Sequence, residues 1–179
     1  GNINLCVAPG SELLDKLDDE HSLVSHQFEG IHPAGLPGTH IHFIDPVSAS
    51  KTVWYLNYQD VIAIGYLFLT DQIDSERVIS LAGPGAKEPK LLRTYLGGSL
   101  DDITAGELFD GEQRIISGSV LSGRGAKEAA AFLGRYHLQV SVLPEDRRRK
   151  LAGWLSPGLR SHSVFPIYLS KWLGERNVD

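Results

Sequence analysis

The sequence is poor in the residues around which redox and metal centres are usually built. Cys6 is the sole cysteine in 179 residues, and there is no methionine. One thiol can form no internal disulfide and cannot assemble a cysteine cage for zinc or an iron–sulfur cluster. Basic excess is also missing: 17 Lys and Arg stand against 22 Asp and Glu, a net charge of −5. A groove that tracks a nucleic-acid backbone needs the opposite balance, so no nucleic-acid partner is expected. The one basic run, residues 147–150, follows Glu145 and Asp146 and reads as a solvated helix face. The longest apolar stretch, residues 61–69, is half of what a bilayer span requires. No signal peptide is visible, and the chain reads as soluble. Phosphate-binding signatures are absent too. No G-x-G-x-x-G opens a helix after Ala8, and no G-K-[ST] occurs. A start at Gly1 without methionine reads as a piece of a longer polypeptide.

Apolar residues, at 42%, suffice for a buried core. Residues 3–8 read as a buried strand containing Cys6, closed by Pro9 and Gly10. Ser11 is placed to cap a helix carrying Leu13, Leu14 and Leu17, and residues 23–28 give a second strand. Strand, helix and strand at this spacing predict an α/β layer. A loop rich in Gly and Pro covers residues 30–38. Residues 39–45 fit either a strand or two helical turns. Residues 52–56 read as a strand. Asn57 is then positioned to cap a helix over residues 58–70, with Asp60 complementing the dipole in its first turn. The nearly continuous apolar surface of that helix predicts deep burial.

After Asp71 the pattern changes. Two strands, residues 78–82 and 90–96, flank the turn at Gly83-Pro84-Gly85. Ser99 and Asp102 form a variant capping box for a short helix to Ala105, and residues 114–120 return as a strand. A hairpin, a helix and a further strand in that order predict a small β-grasp unit. Residues 123–131 read as loop or weak helix, residues 135–143 as a half-buried strand, and residues 167–173 as a terminal helix.

The sharpest chemical feature is the run from Gly30 to Phe43, with His32, His40 and His42. An extended conformation would point His40 and His42 to one face as a metal-binding pair, which His32 and Asp45 could complete. A helix would turn the two rings about 200° apart and remove the site. Ser117 and Ser122 do not sit in a nucleophile elbow. The acidic clusters Asp18, Asp19, Glu20 and Asp101, Asp102 read as exposed helix ends and turns. Trp54, Tyr55, Tyr58, Tyr66 and Phe68 could stack on a flavin or quinone ring, but their apolar surroundings favour a core role. Local chemistry alone reveals no active site.

Five longer phrases carry a resemblance. They are HPAGLPGTHIHFIDPVSA (residues 32–49), LNYQDVIAIGYLFLT (56–70), RVISLAGP (77–84), RIISGSVLSG (114–123) and FLGRYHLQVSVL (132–143). Together they resemble the A subunit of the bacterial sodium-translocating NADH:quinone oxidoreductase, over residues 3–170. The resemblance implies an internal fragment of an α+β protein. Residues 1–72 would complete the second half of a Rossmann-like domain similar to the flavin domain of the NADH-oxidising subunit of complex I. Residues 73–123 would form a soluble-ligand-binding β-grasp (SLBB-like) unit, and residues 124–179 a strand-rich extension with a short terminal helix.

The family implies a component of an NADH:ubiquinone reductase that drives sodium export, with this fragment catalytically inactive by itself. It implies no cofactor in this chain, the flavins and iron–sulfur centre lying in partner subunits. The membrane-embedded B subunit and the C subunit would be the partners, ubiquinone the associated small molecule, and the cytoplasmic side of the inner membrane the location. No catalytic residue follows from it; His32, His40 and His42 are the candidates for ligand or interface contacts. Two other readings remain: a zinc-dependent hydrolase built on the same histidines, and a small-ligand-binding β-grasp module.

Overall fold

A computed structural model describes residues 3–16, 23–147, 153–159, 165 and 167–172. The chain divides into two compact units, Gly1–Asp74 and Ser75–Asp179. In the first, β1 (Ile3–Val7) and β2 (Leu23–Gln27) pair in parallel, with Ile3 opposite Leu23 and Val7 opposite Gln27. The short helix α1 (Leu13–Lys16) lies between them in sequence. Ser11 accepts from the Leu13 N–H through its side chain, as a cap should. Leu17 and the acidic cluster at Asp18, Asp19 and Glu20 lie outside the described residues. Cys6 is half-buried, and burial pushes its thiol up from the ordinary value.

The undecided segment is helical: α2 spans Pro37–Ile44, with proline in its first turn, where no N–H is required. Residues 52–57 carry no strand, contrary to expectation. Thr52, Val53 and Trp54 have strand-like composition, but among the described residues no strand pairs with them. The helix α3 (Tyr58–Thr70) has the anticipated bounds. Asn57 Oδ1 accepts from the Asp60 N–H at 2.9 Å, and Asn57 Nδ2 donates to Asp60 Oδ2 at 2.7 Å. Burial is where the expectation fails. Within α3 only Gln59 and Asp60 are buried, whereas Val61, Ile62, Tyr66, Phe68 and Leu69 are exposed. The aromatic residues expected in a core are exposed as well: Trp54 is 89% accessible and Phe68 82%. Apolar sequence predicts burial only when a surface is present to pack against, and the described part of this unit offers only a two-stranded sheet and short helices.

The second unit holds a five-stranded sheet in the order β4 (Lys90–Tyr95), β3 (Glu76–Ala82), β7 (Gln139–Pro144), β5 (Gln113–Ser117), β6 (Arg124–Gly125). Strands β3 (Glu76–Ala82) and β4 (Lys90–Tyr95) form the antiparallel hairpin, and α4 (Leu100–Thr104) follows, capped by Ser99 Oγ on the Asp102 N–H. Strands β5 (Gln113–Ser117) and β6 (Arg124–Gly125) are antiparallel to each other, and β5 is antiparallel to β7 (Gln139–Pro144). The parallel β3–β7 pairing places β7 in the centre, where a β-grasp sheet needs it. The sheet that holds the β3–β4 hairpin therefore draws its central strand from beyond residue 123, and Arg124–Gly125 and Gln139–Pro144 both join it. Strand β7 is also shorter than the alternating run 135–143 suggested, because residues 133–137 turn: the His137 N–H donates to Gly134 O. A two-residue strand and a 3-10 turn, Glu128–Ala130, occupy the stretch read as loop or weak helix. The anticipated terminal helix is a 3-10 turn, Leu169–Trp172.

Ile79, Leu81, Ala86, Leu100, Leu133, Val140 and Val142 make the core of this unit, with Leu92, Ile103 and Leu108 packed against them. Alternation on β3 explains part of that set, since Ile79 and Leu81 face inward while Val78 faces out. Central position explains Val140 and Val142: they and Ser141 between them are all buried because β7 is covered on both faces.

Candidate functional site

The histidine constellation does not assemble. Because α2 is helical, His40 and His42 leave it about 200° apart. His40 Nε2 donates to Ala34 O at 2.8 Å and its ring lies 4.2 Å from that of Phe28, so it closes the Gly30–Gly38 loop against β2. The Thr39 hydroxyl donates to Pro33 O at 2.9 Å in the same loop. His42 packs edge-on against Phe43. His32 precedes Pro33 through a cis peptide bond, and Asp45 is ion-paired with Lys51. Among the described residues no group of three His, Cys, Asp or Glu side chains could hold a metal ion. The zinc-hydrolase reading is thereby lost, for the reason the helical alternative supplied. Asp101 and Asp102 occupy the first turn of α4, the helix-end role expected of them.

Two arrangements that sequence reasoning missed lie in the β-grasp unit. The first is a groove of about 490 Å³ along β5 and β6, bordered by Arg114, Ile116, Val120, Lys127, Glu145 and Arg147. Two paired forks line it. Arg114 donates through Nε and Nη2 to the two oxygens of Glu145, and Arg147 does the same to Glu112. Each guanidinium holds its carboxylate partner below the usual range. The members stand 31 and 35 residues apart, so no local pattern announces them. Arg147, read from sequence as part of a helix face, lies beyond the end of β7 and outside any helix.

The second is a polar clamp between β5 and the turn before β7. Ser117 is fully buried, accepts from the Gly134 N–H at 2.9 Å, and lies 2.8 Å from His137 Nδ1. The hydroxyl can both accept from Gly134 and share a hydrogen bond with Nδ1, whose direction follows the tautomer of the ring. Gly134 and Gly118 leave room for the imidazole: a Cβ on Gly134 would stand 2.4 Å from Nδ1, and one on Gly118 3.0 Å from Cδ2. Being sealed from solvent, Ser117 can reach no substrate, so the pair is a structural clamp.

Burial pushes the His137 pKa down, and the neighbouring Arg124 guanidinium adds to the effect. Both causes disfavour the charged imidazolium in the folded chain. The unfolded chain, with an ordinary histidine value of 6.5, then binds the proton more readily than the folded one. Stability is therefore expected to fall as the pH drops through 6.5 towards the lower folded value, and to level off below it. Thermal melts between about pH 5 and 7.5 check this. His137→Gln should lose part of the slope, and an unchanged slope would refute the assignment.

Comparison with known proteins supplies the family. The family model "NqrA second alpha/beta domain" matches residues 1–73, and "NQRA C-terminal domain" matches residues 78–128. The A subunit of the Na(+)-translocating NADH-quinone reductase of Marinomonas sp. (strain MWYL1) is 52% identical over all 179 residues, which cover 39% of that protein. The proteins of the same name from Klebsiella pneumoniae (strain 342) and Pseudomonas aeruginosa (strain PAO1) are 54% and 53% identical. They align with 92% and 95% of this chain and are covered over 36% and 38% of their own lengths. The chain thus spans less than two fifths of these relatives. Among the described residues no helix is long and apolar enough to cross a membrane. The α+β fold, the two matched domains and the identity along the whole chain place this protein in the family of the Na+-translocating NADH-quinone reductase A subunit.

Proposed function

We infer that this chain is the middle part of a peripheral subunit of a sodium-pumping NADH:ubiquinone reductase, serving assembly and quinone interaction and carrying no redox centre. The observation that carries the reading is the 52% identity over every residue to a relative named as that component. The lone Cys6 and the missing phosphate-binding signatures support the cofactor-free part. In this reading flavins and the iron–sulfur centre belong to partner subunits, with the B and C subunits as neighbours. The chain lies on the cytoplasmic side of the membrane, with its acidic surface towards protein partners. The purified 179-residue chain is expected to show no visible flavin band and no NADH oxidation; either signal would sink the cofactor-free assignment. Cross-linking the intact complex with a photoreactive quinone, followed by peptide mapping, tests the quinone role. Labelled peptides from this region support it, and labels confined to other subunits remove it.

The groove on β5 and β6 favours a second reading, in which the β-grasp unit holds a small ligand. Its volume falls in the range of small-molecule sites, and apolar Ile116 and Val120 line it together with charged Arg114, Lys127, Glu145 and Arg147. Calorimetry against flavins, quinones and cobalamins decides it, since no heat with any of them leaves docking as the surviving role.

A further inference from the structure

The groove on β5 and β6 carries a charge opposite to that of the chain. Three cations line it, Arg114, Lys127 and Arg147, against the two carboxylates of Glu112 and Glu145, whereas the whole sequence stands at −5. Each carboxylate is already held by one guanidinium through both of its oxygens. Lys127 is left over. Its charge reaches both glutamates, yet among the described residues its ammonium makes no hydrogen bond or ion pair. Arg147 also opposes the charge on Arg114, so one more negative group in the groove would be drawn in.

Gly125 points to a ligand independently. It stands in β6 directly opposite Ile116, where glycine weakens a strand and a β-branched residue would strengthen it. Its backbone does not require glycine, since φ lies outside the left-handed region, and neither does packing: a Cβ there meets nothing within 4 Å. Every other glycine between Ser75 and Arg147 has a positive φ or a neighbour that a Cβ would meet. Gly125 lines the groove, so the space it leaves open belongs to the groove. A strand glycine with neither reason fits close approach by a group from outside the chain. Ile116 and Val120 offer that group apolar contact, and Val120 is 60% exposed.

We propose that the groove binds a small organic anion, its single negative group met by Lys127 and its apolar body lying over Gly125 against Ile116 and Val120. The proposal rests on the small-ligand reading of the β-grasp unit and adds to it the charge and shape of the ligand.

Phenylacetate is the probe, with neutral phenylacetamide and inorganic phosphate as controls, titrated into the 179-residue chain and followed by amide shifts in nuclear magnetic resonance spectra. Phenylacetate should shift the amides of residues 114–116 and 125–127 and saturate in the millimolar range, as ligands of few atoms do. Both controls, and phenylacetate on Lys127→Gln, should bind about tenfold more weakly. Gly125→Leu should abolish the response and leave the other amides in place, because its side chain enters open space at an ordinary φ. Lys127 is exposed, so its variant carries the test if Gly125→Leu misfolds. Equal affinity for phenylacetamide, or for phenylacetate on Lys127→Gln, overturns the anion. Equal affinity for phosphate leaves an adventitious ion only, and shifts elsewhere in the chain overturn the location. No shift with phenylacetate ends the proposal. The small-ligand reading then survives if calorimetry gives heat with a quinone or cobalamin that Lys127→Gln leaves unchanged, and a null by both methods ends that reading too.

Discussion

Expressed separately, residues 75–179 fold with a cooperative thermal transition and residues 1–74 do not. The difference comes from where apolar surface is removed from water. Ile79, Leu81, Leu100, Val140 and Val142 are all at most 1% exposed, and all lie in the second unit. Burying a side chain of this kind is worth about 1.5–3 kcal/mol, and ordering a residue costs about 1–2 kcal/mol. A segment stays folded only where the first gain recurs often enough to offset the second. In the second unit it recurs on β3, β7 and α4, elements joined by one sheet and its covering helix. In the first unit it does not recur at all among the described residues. There Leu69 is 87% exposed and Ile73 85%, so ordering α3 is opposed by entropy with little burial in return. Far-ultraviolet circular dichroism during heating, with amide shift dispersion in nuclear magnetic resonance spectra, reads the outcome. A sharp transition and dispersed amides from residues 1–74 would falsify the distribution of stability described here.

The same contrast explains what could be read from sequence. Local chemistry was legible. Asn57 and Asp60 marked the start of α3, Ser99 and Asp102 that of α4, and the Gly83-Pro84-Gly85 turn marked the end of β3. These features act over a few residues, where capping and turn geometry leave little choice. Apolar composition was misleading wherever the covering surface was distant. Val61 to Leu69 reads as core by every local criterion, yet nothing in the chain's local pattern says which surface α3 meets. Pairing across long separations was equally hidden. Strand β7 joins β3 in parallel from some 60 residues away, which is why the β-grasp was expected to close at residue 123. The candidate site divided in the same way. The fate of His40 and His42 turned on whether α2 was helix or strand, a choice eight residues between two prolines do not settle. Ser117 with His137, and Arg114 with Glu145, meet only through the sheet.

Gly83→Ala should destabilise the chain by about 3–5 kcal/mol, a loss that few single substitutions reach. Gly83 follows directly on β3 with φ at +122°, a conformation L side chains rarely adopt. A Cβ there would stand 2.2 Å from Val142 O and 2.9 Å from Val142 N. Neither can give way cheaply. Val142 is fully buried in the central strand, and its carbonyl accepts from the Gly85 N–H, which closes the turn. Moving it would also strain the β3–β7 pairing next door, where Ala82 stands opposite Ser141. Gly97→Ala is the matched control. Its φ of +71° carries the backbone penalty, but nothing lies within 4 Å of the added carbon, so it should cost only about 1–2 kcal/mol. Chemical denaturation of both variants in the 179-residue chain separates steric contact from backbone strain. If Gly83→Ala proves no more harmful than Gly97→Ala, then the close approach of the turn to β7 does not hold the β-grasp sheet together.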